Sequence, residues 1–291
     1  MTLPDPAAVF AALRPRLVRI AYRMLGSVAD AEDVVQDSYL RWQGQDHEAI
    51  ESPEAWLVRT VSRRALDHLN AARHRRETYL GPWLPEPVID PDDGAETADE
   101  VTLSLMLVLE RLSPLERAAF LLHDVFDLGF DEIARIIERE PAACRQLASR
   151  ARAHVRAARP RFPVSQEHGR KLAAAFVAAS STGDIPGLSR LLAADVVLYS
   201  DGGGKVAAAL NPILGADHVG RFFAGIARKH GVPAPESIQY VTIDGLPGYV
   251  LLGEEGAVQA AALEVVDDRI VAIYAVRNPD KLRHLVLHAS G

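Results

Sequence analysis

Apolar residues recur every three or four positions through the first half of the chain, and at every second position through much of the rest. The first pattern predicts helices over 6–77 and again over 101–159, with Pro160 and Pro163 ending the second run. Between them, residues 81–94 (GPWLPEPVIDPDDG) are crowded with proline, aspartate and glycine and predict an extended linker. Beyond Pro163 the helical period returns at 168–183 and 216–231. Alternation then predicts strands at 196–199, 237–243, 249–252, 258–266 and 270–276, punctuated by Gly202-Gly203-Gly204, Gly245, Gly253-Glu254-Glu255-Gly256 and Asp267-Asp268. Two helices followed by a curled antiparallel sheet make an α+β cone. There is no internal repeat.

Two of the predicted helices have a face suited to an anionic partner. On a wheel of about 100° per residue, Val58, Val61, Ala65, Leu69 and Ala72 fall on one buried stripe of the helix over 53–76, which Ser52 can cap and Pro53 can start. Arg59, Arg63, Asn70 and His74 fall on the other side, and Arg73 continues the arginine run. Arginines in a row with an amide suit phosphates and base edges, although a merely solvated basic face has the same composition. The second helix, over 141–159, buries Cys144, Leu147, Ala148, Ala151 and Val155 and turns Arg145, Ser149, Arg152 and Arg156 outward. It follows the short amphipathic stretch 130–137, so helix, tight turn and basic second helix make a helix-turn-helix unit. A plain helical hairpin with a basic edge is the alternative. In the first reading the second helix enters the major groove led by its N-terminal residues. Ala142, Arg145, Gln146 and Ser149 then see base edges, while Arg150, Arg152 and Arg156 hold phosphates.

Charge sharpens this picture. The net charge is −7 over 291 residues, but it is sorted into blocks. Arg59, Arg63, Arg64, Arg73, Arg75 and Arg76 stand against one acid, Asp67. Arg145, Arg150, Arg152, Arg156, Arg159 and Arg161 stand against none. Between the two blocks lie Glu86, Asp90, Asp92, Asp93, Glu96, Asp99 and Glu100. Local fields decide nucleic-acid binding, so the acidic total does not exclude it. Cys144 is the only cysteine, which excludes an internal disulfide and multi-cysteine zinc sites and fits a reducing compartment. No apolar run approaches about 18 residues, so no membrane span is expected. The chain lacks a basic start followed by an apolar core, so no export signal is expected and a cytoplasmic location is. Metal and cofactor sites are not indicated. The length predicts two or three domains.

Several motifs occur in the order of one known family. Tyr22-Arg23-Met24-Leu25-Gly26-Ser27 with Asp30-Ala31-Glu32-Asp33-Val34-Val35-Gln36-Asp37 resembles the polymerase-binding region of extracytoplasmic-function sigma factors. Trp56-Leu57-Val58-Arg59-Thr60-Val61 with Ala65-Leu66-Asp67-His68-Leu69 resembles their promoter −10 region. Leu112-Ser113-Pro114-Leu115-Glu116-Arg117, through Ala143-Cys144-Arg145-Gln146-Leu147-Ala148-Ser149-Arg150, resembles their −35-reading domain. Behind these, the chain resembles SnoaL-like domains, which share the ketosteroid-isomerase cone. Trp83-Leu84-Pro85-Glu86-Pro87, Asp201-Gly202-Gly203-Gly204-Lys205 and Asn278-Pro279-Asp280-Lys281-Leu282 resemble signatures of a subgroup carrying such a domain. One departure is that Glu140-Pro141 starts the −35 helix where the family usually has a serine cap; Pro suits the first turn and Glu the positive helix end.

The resemblance implies a multidomain fold: two all-α sigma domains, the second a helix-turn-helix, followed by an α+β SnoaL-like cone. The expected bounds are 6–80, a linker over 81–100, 101–160 and 165–291. It implies a sigma factor acting with core RNA polymerase on promoter DNA, and not an enzyme. Asp33, Gln36, Asp37, Arg41 and Trp42 would contact polymerase, and Gln45, Asp46 and His47 would read a −10 base flipped from the stack. The acidic linker would thread toward the active-site and RNA-exit channels. Trp83, Leu84 and Pro85 would bury against the Asp201–Lys205 turn and the segment Asn278, Pro279, Asp280 and Lys281, giving the cone regulatory leverage over the sigma domains. A small-molecule ligand in the cone, or catalysis using Tyr199, Asp201, His218 and Tyr274, is the competing use of that domain. A one-component DNA-binding regulator is the competing reading of the whole.

Overall fold

The computed structural model describes residues 5–91, 101–157 and 165–285, without the side chains of 73–77 and 157. The side chain of Arg73, and Asp92, Asp93, Glu96, Asp99, Glu100, Arg159, Pro160, Arg161 and Pro163, lie outside the described residues. The chain divides into two compact units: Met1–Glu77 with Leu105–Pro160, and Thr78–Ser104 with Arg161–Gly291. The linker therefore belongs to the unit that contains the sheet.

In the first unit, helix α1 (Pro6–Leu25) starts at Asp5, whose carboxylate accepts from the Ala7 amide, and stops at Gly26 in the left-handed region. Helix α2 (Val28–Gln43) is capped by Ser27, and α3 (Pro53–Glu77) follows a short 3-10 turn at His47–Ala49. Leu17, Ile20, Leu25, Val34, Val35, Leu57, Val61 and Ala65 fill the space between them. Helices α4 (Leu103–Leu109) and α5 (Pro114–Phe120) precede a π turn at Leu121–Val125. Ser113 and Glu116 close a capping box on α5, satisfying two otherwise orphaned amides. Helix α6 (Phe130–Ile137) ends at Glu138 with φ 54°, and α7 (Pro141–Ala157) follows three residues later, so the turn of the helix-turn-helix is tight. Arg117, 1% exposed, pairs with Glu110 and donates to the Arg23 carbonyl at 3.0 Å, joining the two halves of this unit.

In the second unit, helices α8 (Gln166–Thr182), α9 (Ile185–Leu191) and α10 (Ala216–His230) lie on one face of a six-stranded sheet ordered β2-β1-β6-β5-β4-β3. The strands are β1 (Leu192–Asp201), β2 (Ile213–Leu214), β3 (Ile238–Ile243), β4 (Leu246–Gly253), β5 (Gly256–Val266) and β6 (Arg269–Val276). The sheet is mixed, not wholly antiparallel: β1 runs parallel to β6, with Tyr199 opposite Tyr274. Phe176, Leu198, Val219, Phe223, Tyr249, Leu263 and Ile273 make its core against the helices. Register shifts at Leu251/Leu252 and Glu264/Val265 mark bulges, which bend strands and so curl the sheet.

Candidate nucleic-acid interface and linker hub

Helix α3 buries Val58, Val61, Ala65, Leu69 and Ala72, the whole stripe expected of it, and this leaves Arg59, Arg63 and Asn70 exposed on the far side. An open cleft of about 510 Å³ runs beside that face, lined by Leu40, Arg41, Gly44, Gln45, Trp56, Arg59, Thr60, Arg63, Arg64 and Asp67. Gln45 thus lines the cleft. Asp46 instead caps the 3-10 turn by accepting from the Glu48 amide at 3.2 Å, and the His47 ring packs on Trp42 at 4.3 Å. Trp56, which opens the −10 motif but was not among the expected base contacts, supplies the cleft with the flat apolar surface that base stacking needs. The signal was in the sequence, because a tryptophan one turn before the arginine row lies on its flank.

On α2, Asp33, Gln36, Asp37 and Arg41 are exposed, and Asp37 accepts from Arg64 at 3.2 Å. Trp42 corrects the expectation. It is 1% exposed, its indole N–H donates to the Pro6 carbonyl at 2.8 Å, and its ring lies against Trp56 at 5.5 Å. It braces α1, α2 and α3 and has no surface left for a partner. Leu40, 57% exposed, is the apolar residue on that face.

On α7, Ala142, Arg145, Gln146, Ser149, Arg150 and Arg156 are exposed, and Cys144 is buried among apolar neighbours that push its thiol pKa up. Arg145 lies over the Phe130 ring, which stacks on His123 at 4.0 Å. Arg152 is half-buried and held by Asp124 at 2.7 Å. Arg63 pairs with Glu138 at 2.7 Å, with both side chains exposed.

The second unit gathers the three linker-related motifs around one carboxylate. Asp201 is fully buried at the end of β1. It accepts from the Tyr79 hydroxyl at 2.6 Å, the Leu84 amide at 2.9 Å, the Gly203 amide at 3.0 Å and Lys281 Nζ at 2.7 Å. Lys281 also donates to the Leu84 carbonyl at 2.5 Å, with its ammonium over the rings of Trp83 and Tyr79 at 4.1 and 5.0 Å. Asn278 donates to the Tyr79 oxygen at 2.9 Å, and Lys205 pairs with Asp280. Burial, and then the Asp201 bond, raise the Tyr79 pKa. Pro85 is buried beside Leu84, while Pro279 opens the 3-10 turn that carries Asp280 and Lys281. The glycines are not a loose turn. A Cβ on Gly202 would meet the Val206 carbonyl at 2.3 Å, and Gly203 and Gly204 both have positive φ. Tyr79 was missed because it lies outside every motif.

Of the polar candidates for cone chemistry, only Tyr199 and Tyr274 come together. Tyr199 stacks on Tyr274, whose hydroxyl donates to Glu264 at 2.7 Å, and these alternate with the residues that make the core. Asp201 is committed to the hub, and His218 is exposed beside the Leu214 carbonyl.

A family model for Sigma-70 region 2 matches residues 9–75, and one for Sigma-70, region 4, matches residues 102–155. The chain is 39% identical to the ECF RNA polymerase sigma factor SigJ of Mycobacterium tuberculosis over 286 residues, 94% of this chain and 91% of that one. It is 32% identical to a probable ECF RNA polymerase sigma factor, SigI, of the same species, over 100% of both. The crystal structure of the SigJ protein matches with a TM-score of 0.76 and 36% identity, covering 94% of this chain and 97% of that one. Among the described residues, no helix is long and apolar enough to cross a membrane.

Proposed function

The chain belongs to the extracytoplasmic-function RNA polymerase sigma factors, and from that premise we propose how its parts divide the work of initiation. It acts with core RNA polymerase on promoter DNA. The face of α2 bearing Asp33, Gln36, Asp37, Leu40 and Arg41 docks on the polymerase. Arg59, Arg63 and Asn70 read the −10 element, and the cleft between Gln45 and Trp56 takes the flipped base. Flipping costs a few kcal/mol, which stacking on an aromatic ring, about 1–3 kcal/mol per base, offsets. Helix α7 reads the −35 element through Ala142, Arg145, Gln146 and Ser149, with Arg150, Arg152 and Arg156 on phosphates. The C-terminal domain acts through the linker it holds at Asp201 and Lys281, as a tether that regulates the sigma domains.

The observation that carries the DNA-reading part is the cleft, which joins an aromatic ring, an amide and the exposed arginines of α3 in one place. Run-off transcription with core polymerase tests the assignment, and permanganate footprinting beside gel shift tests the cleft. Trp56→Ala and Gln45→Ala are expected to lower strand opening at least tenfold more than closed-complex binding, which is about 1.4 kcal/mol taken from the opening step. Equal loss in both measurements would remove the base-pocket role. Tyr274 is bonded to Glu264, Asp201 is committed to the hub and His218 is exposed, which favours a regulatory cone over a catalytic one.

A further inference from the structure

The linker is held a second time, at a place no motif marks. The turn between β3 and β4 is Asp244-Gly245, with φ of 44° and 73°. An Asp-Gly pair in these conformations is an ordinary two-residue hairpin, self-sufficient and normally solvated. Here Asp244 is 1% exposed, because the linker lies over it on two sides. On one side the Val88 amide donates to Asp244 Oδ2 at 3.1 Å, and the Asp244 amide donates back to the Val88 carbonyl at 2.9 Å. The Asp90 amide then donates to the Thr242 carbonyl at 2.9 Å, and the Gly245 amide donates to Asp90 Oδ2 at 2.7 Å. Ile89 bridges antiparallel to Ile243, so this stretch extends the β3 edge. On the other side the Leu103 amide donates to the Asp244 carbonyl at 3.0 Å. A Cβ on Gly245 would meet Thr102 Cγ2 at 3.2 Å. Thus residues 88–90 and 102–103, which flank the acidic segment, bond to one turn.

We propose that the Asp244-Gly245 turn is a second docking site for the linker, separate from the Asp201 hub, whose release sets how readily core polymerase is engaged. Its regulatory half rests on the sigma-factor function above. The physical reason is reach. Residues 91–102 can span roughly 40 Å when extended, but not while their flanks are fastened at one point. A linker that threads a polymerase channel must leave this turn. Every hydrogen bond at the turn therefore lowers the fraction of chains competent to bind, and raises the apparent Kd by the reciprocal of that fraction.

Two variants of the full chain test this. Asp90→Ala lies in the linker, outside the named strands and helices of the cone. Asp244→Gly removes the side-chain acceptor and keeps a residue that tolerates positive φ. Amide hydrogen exchange is the first readout. Each variant is expected to speed exchange at Val88, Asp90 and Leu103 by roughly tenfold, the equivalent of about one hydrogen bond, with the Leu84 amide unchanged. No acceleration, or the same acceleration at Leu84, would overturn a separate docking site. Affinity for core polymerase is the second readout, and the apparent Kd should fall by a similar factor. Faster exchange with an unchanged or higher Kd would overturn the regulatory half. If the unaltered chain failed to bind core polymerase at all, the function above and that regulatory half would both fall, and exchange alone would judge the docking site.

Discussion

Asp201 and Lys281 form a buried ion pair, and such pairs are asymmetric in their energetics. Making one gains little over an apolar pair of equal volume, whereas removing one member leaves a bare charge and costs about 3–5 kcal/mol. Asp201→Ala should therefore lower the thermal stability of the second unit sharply, by several degrees or more, and Lys281→Met added to it should recover much of the loss. A calorimetric scan of both variants decides this; equal melting of the single and double variants would mean the pair is not coupled. The neighbouring Tyr79 brings a pH dependence. Its folded pKa is raised above the ordinary tyrosine value of about 10, first by burial and then by its bond to Asp201. A raised pKa gives stability that is complete below the unfolded value and is lost as pH rises through the folded one. The hub should accordingly hold across neutral pH and begin to weaken only above about pH 10, with Tyr79→Phe flattening that alkaline limb in an unfolding titration. The motif residues of this hub were legible in the sequence as three short signatures. Tyr79 was not, because nothing local distinguishes a tyrosine that meets a buried carboxylate across 122 positions of sequence from one that does not.

At the scale of elements, helical periodicity read the burial of α3 correctly down to single residues, since one amphipathic stripe decides which side packs. It failed where an element is short or its pairing is remote. Strand β2 has two residues, too few to alternate, and α9 starts on Ile185-Pro186-Gly187, a sequence that reads as a loop. The parallel pairing of β1 with β6 depends on a contact across some 75 positions, which no local pattern encodes. Trp42 was misassigned for a related reason: a helix wheel cannot tell a surface aromatic from one whose N–H is taken by a distant carbonyl. The DNA-facing helices also make specific forecasts. Arg63 is paired with Glu138, but an exposed pair contributes only about 0–1 kcal/mol, so a phosphate displaces the carboxylate readily. On α7, Arg145 is steadied by the Phe130 ring while Arg156, near the helix end, is exposed and has no ion pair among the described residues, and the two should behave differently. Arg145→Ala should relax −35 sequence preference by about 1–3 kcal/mol at one base pair. Arg156→Ala should weaken all promoters alike and reduce the salt slope by about 1. A promoter-mutant panel run at several salt concentrations separates them, and parallel behaviour would remove the distinction between base reader and phosphate clamp.

For the whole molecule, the informative fact is which unit owns the linker. Sequence alone sets residues 81–100 between two reading domains, but the contacts group Thr78–Ser104 with the C-terminal domain. Deleting that domain therefore does two opposite things. It frees the linker from Asp201 and from the β3–β4 turn, and it strips the cover from Leu84 and Pro85, both buried in the full chain. The first effect should dominate in polymerase binding, because a few exposed side chains cost the free protein stability without blocking its docking face on α2. A chain ending at Pro163 should then saturate run-off transcription at a several-fold lower concentration than the full chain. A chain ending at Leu282 keeps Lys281 and loses, among the described contacts, the His284 bond to the Pro87 carbonyl, the pairs of His284 with Glu86 and Arg283 with Asp280, and the buried Leu285, so it should lie closer to the full chain than the Pro163 version does. One ending at Pro279 is the sharper case: it keeps the sheet and the buried Asp201 but removes its cation, and taking one member out of a buried ion pair costs about 3–5 kcal/mol. Its second unit should melt before that of the Leu282 version or of the full chain, while transcription moves toward the Pro163 version. If the full chain instead reached half-saturation at the lowest concentration of the four, the linker would be presented by the C-terminal domain to polymerase, not withheld from it.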